Sequence, residues 1–383
     1  MEHLFFKTLF AFAITFILQS SLRFLPGVGL GEILLLLVIL SSILTCILKP
    51  ERIPKFNDAL FPYSINFYIF TVLFLITALN FFLQTNGTGF RDYIAYALSG
   101  LMLFALALHK DKVMDIAKLV VLFSSLLVLF HYFFADKSSF DVNSVSFNRF
   151  TAGANNPNQL ALYLICLMTI SSLVWKNVYF KFLSFSLFAY FGIVSLSDAL
   201  LGFLAITIVS YSFLVLIPKR HVYIGLTGYI FLLTALVSIF FDQSFNFLSE
   251  QFQERDQGNA RFILYKNGLL AWSENPTSII FGNGAGNYSG FYGPFGGYES
   301  HNGPIDTLAM GGILGLLVIF FYPIRFIFQA FKMQEKLLFS LLLGMAFFCM
   351  FHFIIRHPIY WFTLFVVYVY LEQKINIRKK CAD

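Results

Sequence analysis

Residues 33 to 48 read ILLLLVILSSILTCIL, an apolar run that contains neither a charged residue nor a proline. A helix needs about 20 mostly apolar residues to cross the hydrocarbon core of a bilayer, and this run with its neighbours is of that kind. Similar runs recur along the 383 residues, of which 58% are hydrophobic and 12% are charged. A mean hydropathy of +0.76 and 51 Phe residues give more apolar surface than a soluble globule of this length can bury. The sequence therefore predicts a membrane protein.

The predicted fold class is an all-α polytopic membrane protein, because unpaired backbone groups cannot face lipid. We expect about 12 transmembrane helices on the basis of apolar length. They are predicted at residues 4 to 22, 33 to 48, 65 to 84, 94 to 108, 114 to 134, 160 to 175, 182 to 197, 199 to 217, 224 to 241, 311 to 331, 337 to 355 and 358 to 371. The domain organisation follows: 1-241 holds nine helices and a shorter loop at 135-159, 242-310 is a large loop, and 311-383 holds three helices and a basic tail.

The positive charges predict the orientation. Most of the 26 Lys and Arg residues fall in the loops and tail that lie inside if the N-terminus is inside, as in the segments around Lys49 to Lys55, Lys110 to Lys118 and Lys374 to Lys380. Both termini are therefore expected to be cytoplasmic. The basic residues expected outside are mostly Arg, whose planar fork can grip phosphate oxygens, although some of them could simply pair with acids such as Asp92. The four Cys residues indicate no disulfide framework.

One polar island interrupts this apolar chain. Residues 261 to 315 read RFILYKNGLLAWSENPTSIIFGNGAGNYSGFYGPFGGYESHNGPIDTLAMGGILG and gather Arg, Glu, His, Asn and Gly. Residues 250 to 272 are predicted to form a helix that lies at the membrane interface. The glycine run at 282 to 287 has the composition of a phosphate-binding loop, but no strand precedes it and no Lys-Ser/Thr follows it. The sequence therefore does not predict a nucleotide site here.

A second polar segment lies upstream. Residues 148 to 159 read NRFTAGANNPNQ and place Asn155, Asn156 and Asn158 just before a predicted helix, where a helix N-cap is the simplest interpretation. The sequence contains no D-x-D element and no His/Cys cluster at metal-ligand spacing, so we predict neither a metal nor a cofactor. Nothing indicates a nucleic-acid partner.

Together, these motifs resemble a known family. Residues 261 to 288, followed by SHNGPIDTLAMGGILGLLVIF at 300 to 320, are similar to the signature of the O-antigen ligase and O-antigen polymerase superfamily of bacterial inner-membrane proteins. The resemblance covers roughly residues 145 to 330. It implies a multi-helix membrane glycosyltransferase of the GT-C-like class, with its active site on the periplasmic face. It also implies undecaprenyl-diphosphate-linked oligosaccharides as donor and acceptor, membrane lipid as surroundings and, by analogy, a chain-length regulator as a possible partner.

The resemblance also implies roles for individual residues. Arg261 matches the loop arginine thought to hold the donor diphosphate, His301 matches the proposed general base, and Arg149 lies in the matching upstream motif. The family commonly has a Ser-Arg-Gly-like turn where this chain has Ser197-Asp198-Ala199. The second arginine is therefore missing there. The candidates to replace it are Arg149, Arg255 and Arg91.

Other polar residues near these are candidate substrate-binding groups. Glu299 could orient the imidazole of His301 or bind a sugar hydroxyl, while Asp306 could do the same or only favour the helix dipole. Tyr288 could stack on a sugar, as could Tyr292 and Tyr298. The remaining candidates are Asn302, Asn158, His352, Arg356 and His357.

Three functions compete. The leading hypothesis is an O-antigen or capsular polysaccharide polymerase, favoured because the missing arginine is especially associated with ligases. The alternative is an O-antigen ligase that transfers glycan to lipid A core. A polysaccharide transporter or flippase is a further alternative, but the sequence shows neither a repeat between its halves nor a matched pair of broken helices.

Overall fold

The computed structural model describes residues 2–19, 23–25, 28–48, 87–134, 140–141, 149–216 and 257–380. Within these residues the fold is helical, apart from two antiparallel pairs of very short strands: β1 (Arg23–Leu25) with β2 (Val28–Gly29), and β3 (Phe140–Asp141) with β4 (Arg149–Phe150). The α-helices are α1 (Glu2–Phe16), α2 (Leu30–Leu48), α3 (Gly87–Leu108), α4 (Val113–Phe134), α5 (Pro157–Val174), α6 (Val178–Val194), α7 (Asp198–Leu216), α8 (Gln257–Ser273), α9 (Pro276–Phe281), α10 (Gly303–Lys332), α11 (Lys336–Cys349) and α12 (Pro358–Lys380). The all-α membrane architecture is confirmed.

Every predicted span that falls within the described residues overlaps a helix. The spans at 65 to 84 and 224 to 241 lie outside the described residues. Among the described helices, α2, α4 with the turn before it, α5, α7 and α10 are long and apolar enough to cross a membrane, and α1, α3, α6 and α11 contain shorter apolar helices. The predicted span at 337 to 355 is too long, because α11 ends at Cys349 and residues 350 to 357 form a loop that carries ionisable side chains.

Two helices form the centre of the described fold. Every residue of α5 except Asn158 and Gln159 is buried, and α12 is buried from Pro358 to Val369. A helix that is apolar on all sides belongs in the interior of a helical assembly. The two helices contact each other, and the surrounding helices cover them. The last residues of α12, including Arg378, Lys379 and Lys380, are exposed beyond this core.

Helix α10 is broken at Gly312, whose φ of 63° and ψ of −164° are not helical. The break releases the carbonyls of Ala309 and Met310 from their helical partners. The backbone N–H groups of Asn283 and Gly284 donate to these two carbonyls at 2.8 and 2.9 Å. The glycine run after α9 therefore satisfies the backbone of the break and joins the preceding loop to α10.

The polar segment before α10 is ordered by helices of its own. The predicted helix at 250 to 272 corresponds to α8 from Gln257 onward, and its earlier residues lie outside the described part. Asn275 caps α9, with its side chain accepting from the Ser278 N–H at 2.9 Å. Helix α10 begins at Gly303, so the last residues of the predicted loop at 242-310 are already helical.

Candidate active site

A cavity of about 270 Å³ lies between α3, α5, α8, the loop before α10 and the loop between α11 and α12. Arg261 and His301, which sequence reasoning placed in one site, both line it. The other polar residues on its wall are Glu32, Asp92, Asn155, Asn156, Asn158, Gln159, Glu299, His352, Arg356 and His357. The fold therefore brings the polar island, the upstream motif and the 350–357 loop to one place.

His301 has a constrained backbone. Its φ of 57° lies in the left-handed region, which non-glycine residues rarely occupy. The next residue, Asn302, caps α10: its side chain accepts from the Ile305 N–H at 3.1 Å and donates to the Met350 carbonyl at 2.9 Å. The preceding residue, Ser300, is held by the fold as well. Because both neighbours are fixed, the imidazole is presented to the cavity from a defined position.

Asp306 fixes Ser300. Its Oδ1 accepts from the Ser300 N–H at 2.7 Å and from the Ser300 hydroxyl at 2.8 Å, and the Asp306 side chain is fully buried. Asp306 lies in the first turn of α10, as the sequence predicted. Its partner is the residue before His301, so it acts on the backbone of that loop. The Asp306 carboxylate thus orders the segment that carries His301.

A chain of charged and polar groups approaches His301 from the interior. Tyr288 donates its hydroxyl to Asp92, Asp92 lies 3.5 Å from Arg356 Nη1, and the same Arg356 nitrogen donates to Glu299 Oε1. Glu299 Oε2 then lies 4.0 Å from His301 Nδ1. Asp92 is 1% exposed and Tyr288 is 2% exposed. Sequence reasoning did not predict this connection; its only signal was the presence of ionisable residues within apolar segments.

Tyr288 therefore occupies a different position from the one its predicted contact with sugar requires. Its ring packs edge-on against Phe353 and its hydroxyl bonds to Asp92 inside the protein. Tyr298 of the same loop is 65% exposed and is therefore more accessible to a sugar than Tyr288.

Arg149 contacts the turn in which the family arginine is missing. Its Nε donates to the Ser195 carbonyl at 3.1 Å and its Nη2 donates to the Leu196 carbonyl at 2.7 Å. The Ser197 hydroxyl of the same turn donates to Asn158 Oδ1 at 3.1 Å. Arg149 thus lies beside the Ser197-Asp198-Ala199 turn. Arg255 lies outside the described residues, and for Arg91 the structure describes the α3 backbone only.

The upstream amides have partly structural roles. Asn156 is the N-cap of α5 and accepts from the Gln159 N–H at 2.8 Å, as the N-cap interpretation predicted.

The glycine run at 282 to 287 uses its Asn283 and Gly284 N–H groups for the break in α10. These two N–H groups are therefore occupied, which agrees with the absence of a nucleotide motif.

The cavity favours a neutral imidazole on His301. Burial lowers the pKa of His301 from its ordinary value, the Glu299 carboxylate opposes this shift, and the Arg261 and Arg356 cations lower the pKa further. Burial also lowers the pKa of Arg356, but the Glu299 and Asp92 carboxylates outweigh it, so the net shift is upward and the guanidinium stays charged. The site thus combines a group able to accept a proton with cations able to bind an anion.

Residues 182–320 match the family model described as O-Antigen ligase. The matched stretch contains Arg261, Glu299 and His301, whereas Arg149 and Arg356 lie outside it. The match confirms the resemblance drawn from the sequence motifs and supports a place for this chain in the O-antigen ligase and polymerase superfamily. No curated protein matched the chain.

Proposed function

We propose that this membrane protein is a glycosyltransferase that polymerises undecaprenyl-diphosphate-linked oligosaccharide repeat units, as O-antigen or capsular polysaccharide, on the periplasmic face of the inner membrane. The observation that carries the proposal is the presence of His301 and Arg261 on the wall of one cavity, within the stretch that matches the O-antigen ligase model. This pairing supplies a base and a cation without a metal ion.

The proposed reaction joins two lipid-linked glycans. A hydroxyl oxygen of the acceptor attacks the anomeric carbon of the donor, and its proton passes to a ring nitrogen of His301. The bond from the anomeric carbon to the diphosphate oxygen breaks, and its electron pair leaves with the lipid diphosphate. A new glycosidic bond and free undecaprenyl diphosphate result, and the imidazolium later returns its proton to water.

Arg261 suits the leaving group in this scheme. Negative charge grows on the diphosphate as the bond breaks, and a guanidinium beside it stabilises that charge more in the transition state than before. Arg149 is proposed as a second cation, because it is anchored at the turn where the family arginine is missing. Asn302, Asn158 and Glu299 are proposed to shape the site, and Arg255 and Arg91 are proposed as further residues for diphosphate binding.

A ligase is the second candidate, because the matched model is described as O-Antigen ligase. A ligase would use the same donor and the same base, and would transfer a finished glycan to lipid A core. Asp198 stands where an arginine associated with ligases is expected, and this favours the polymerase.

The glycan ladder of cells that carry variants of the native gene tests this proposal. We expect His301→Ala and Arg261→Ala to reduce chain extension by about 10²-fold or more, as for loss of a general base or of a charge-stabilising donor. The matched control is Lys266→Ala, which removes a basic residue from the exposed side of the same helix, α8. Protein abundance is measured in each strain.

The outcomes separate the candidates. A core bearing a single repeat, with lipid-linked repeats accumulating outside, supports the polymerase. Loss of all core-linked repeats with accumulation of lipid-linked polymer indicates a ligase, and retention of lipid-linked repeats on the inner leaflet indicates a flippase. An unchanged ladder in His301→Ala removes this residue from the mechanism.

A further inference from the structure

Glu299 has two partners that face different parts of the molecule. Its Oε1 accepts from Arg356, and its Oε2 lies 4.0 Å from His301 Nδ1. The Glu299 side chain is 14% exposed and that of His301 is 50% exposed. One carboxylate therefore joins a half-exposed imidazole to a cation that reaches into the protein.

Arg356 is held from both sides. Besides Glu299 it has Asp92 at 3.5 Å, and Asp92 in turn accepts from the Tyr288 hydroxyl. The Arg356 side chain is 20% exposed. A buried charge needs partners, and two carboxylates more than balance one guanidinium. Although Arg356 borders the cavity, this pairing makes it a poor candidate to bind a diphosphate and a good one to fix two carboxylates.

We propose that Asp92, Arg356 and Glu299 are positioning residues that hold the His301 imidazole with Nδ1 toward Glu299 and Nε2 toward the reacting hydroxyl. The inference rests on the proposed function in that it takes His301 to be the base. Glu299 favours the tautomer with a proton on Nδ1, which leaves Nε2 able to accept one. Arg356 keeps the Glu299 carboxylate in place, and Asp92 with Tyr288 keeps Arg356 in place.

Loss of the Glu299 charge and loss of the Arg356 charge should shift the pKa of His301 in opposite directions. The groups that face His301 are Glu299 on its own loop, Arg261 on α8, and Arg356 and His352 on the loop between α11 and α12. Removing the Glu299 charge should lower the pKa of His301. Removing the Arg356 charge should raise it, both directly and because Glu299 is then free to approach the ring.

Reaction with diethyl pyrocarbonate measures the pKa of His301 without any glycan substrate, because the reagent modifies neutral imidazole. The rate at His301 is followed across pH by peptide mass spectrometry in the purified full chain, which separates this residue from His352 and His357. The pH at which this rate is half of its maximum is the pH midpoint, and it reports the pKa of His301. Relative to the unsubstituted protein, this midpoint should fall in Glu299→Gln, rise in Arg356→Gln and stay unchanged in Arg325→Gln. Arg325, which is exposed on α10, is the matched control for charge.

Conservative variants and turnover complete the test. Arg356→Lys should restore the pH midpoint, since the charge remains. It should not restore full turnover, since an ammonium on a shorter and more flexible side chain holds the two carboxylates less firmly than Nη1 does. For Glu299→Gln we expect kcat to fall about 10²-fold with extracted lipid-linked repeat units, the scale of a small misplacement of a catalytic group. KM should change little. Glu299→Gln leaves the pair of Asp92 and Arg356 intact, so the test stands even if Arg356→Gln does not fold.

The inference is overturned if the midpoint in Glu299→Gln is unchanged or rises, or if its kcat equals that of the unsubstituted protein. An active His301→Ala variant would instead overturn the proposed base while leaving the midpoint shifts in place. The two failures are therefore distinguishable.

Discussion

His301 combines an unusual backbone with an environment that disfavours its charge. Its pKa is lowered from the ordinary value by burial, against the opposing effect of Glu299, and is lowered further by Arg261 and Arg356. A base with a lowered pKa stays neutral to more acidic pH. We therefore expect kcat/KM to be constant near neutral pH and to fall only as pH drops below about 6.5, the ordinary value for histidine. Rates measured between pH 5 and 8, in about half-unit steps, check this. An acidic limb centred above that value would contradict it.

Asp306 holds Ser300, the residue directly before His301. Its Oδ1 accepts both Ser300 donors, and no partner is found for Oδ2 among the described residues. Asp306→Ala leaves the Ser300 N–H without its acceptor and leaves the Ser300 hydroxyl only the Asn302 carbonyl at 3.4 Å. It should cost about 1–3 kcal/mol of stability, with loss of glycan transfer as His301 shifts. Asp306→Asn keeps an acceptor and should retain most activity. Thermal unfolding and transfer rates of the two variants test this, and equal damage in both would show that the charge itself is required.

At the scale of single elements, the break in α10 explains how a membrane helix and a polar loop are joined. A straight helix from Gly303 to Lys332 would leave no acceptors for the Asn283 and Gly284 N–H groups. The break supplies the Ala309 and Met310 carbonyls, and the backbone of Ile280 lies against Gly312. A Cβ atom at Gly312 would lie 2.3 Å from the Ile280 carbonyl carbon. The glycine is therefore required by both its φ and the close approach.

Gly312→Ala should consequently be severely destabilising. A positive φ with a ψ of −164° is a conformation that essentially only glycine adopts, and it costs an alanine about 1–3 kcal/mol. The contact with Ile280 adds to this because backbone atoms would have to move. Gly100→Ala on α3 is the matched control, since no described atom lies within 4 Å of its added Cβ and a helical glycine gains about 0.5–1 kcal/mol on becoming alanine. Monodisperse yield and thermal midpoint measure both. A Gly312→Ala variant as stable as Gly100→Ala would show that the break is not required.

At the scale of the whole molecule, the sequence predicts the helices well because each depends on a local apolar run. Residues 33 to 48 and 311 to 331 lie within helices for that reason, and α5 was placed within a few residues. The chain of charged and polar groups from Tyr288 to His301 could not be predicted, because Tyr288 and Asp92 are 196 residues apart and no local sequence pattern pairs them. The motif indicated Arg149, but its contact with the turn at Ser195 depends on how β4 packs against the end of α6, which lies 46 residues further along the chain.

The orientation in the membrane is the assumption on which a periplasmic reaction depends. It rests on the distribution of Lys and Arg, which is a statistical property of the whole chain. A cysteine probe for the outer loop needs an exposed position: Ser289 is fully buried, whereas Phe291 is 78% exposed. Tyr179, which is 80% exposed between the basic residues Lys176 and Lys181, serves as the inner control.

In a background with Cys46 and Cys381 replaced by Ser, Phe291→Cys should react with a membrane-impermeant maleimide in intact spheroplasts. Tyr179→Cys should react only after permeabilisation, and labelling is read from the purified protein. The remaining Cys166 and Cys349 are buried and should stay silent in both states. Because Phe291 and His301 belong to the same loop, the reverse pattern would put the cavity on the cytoplasmic side. A polymerase that draws on lipid-linked repeats outside the cell membrane would then be impossible.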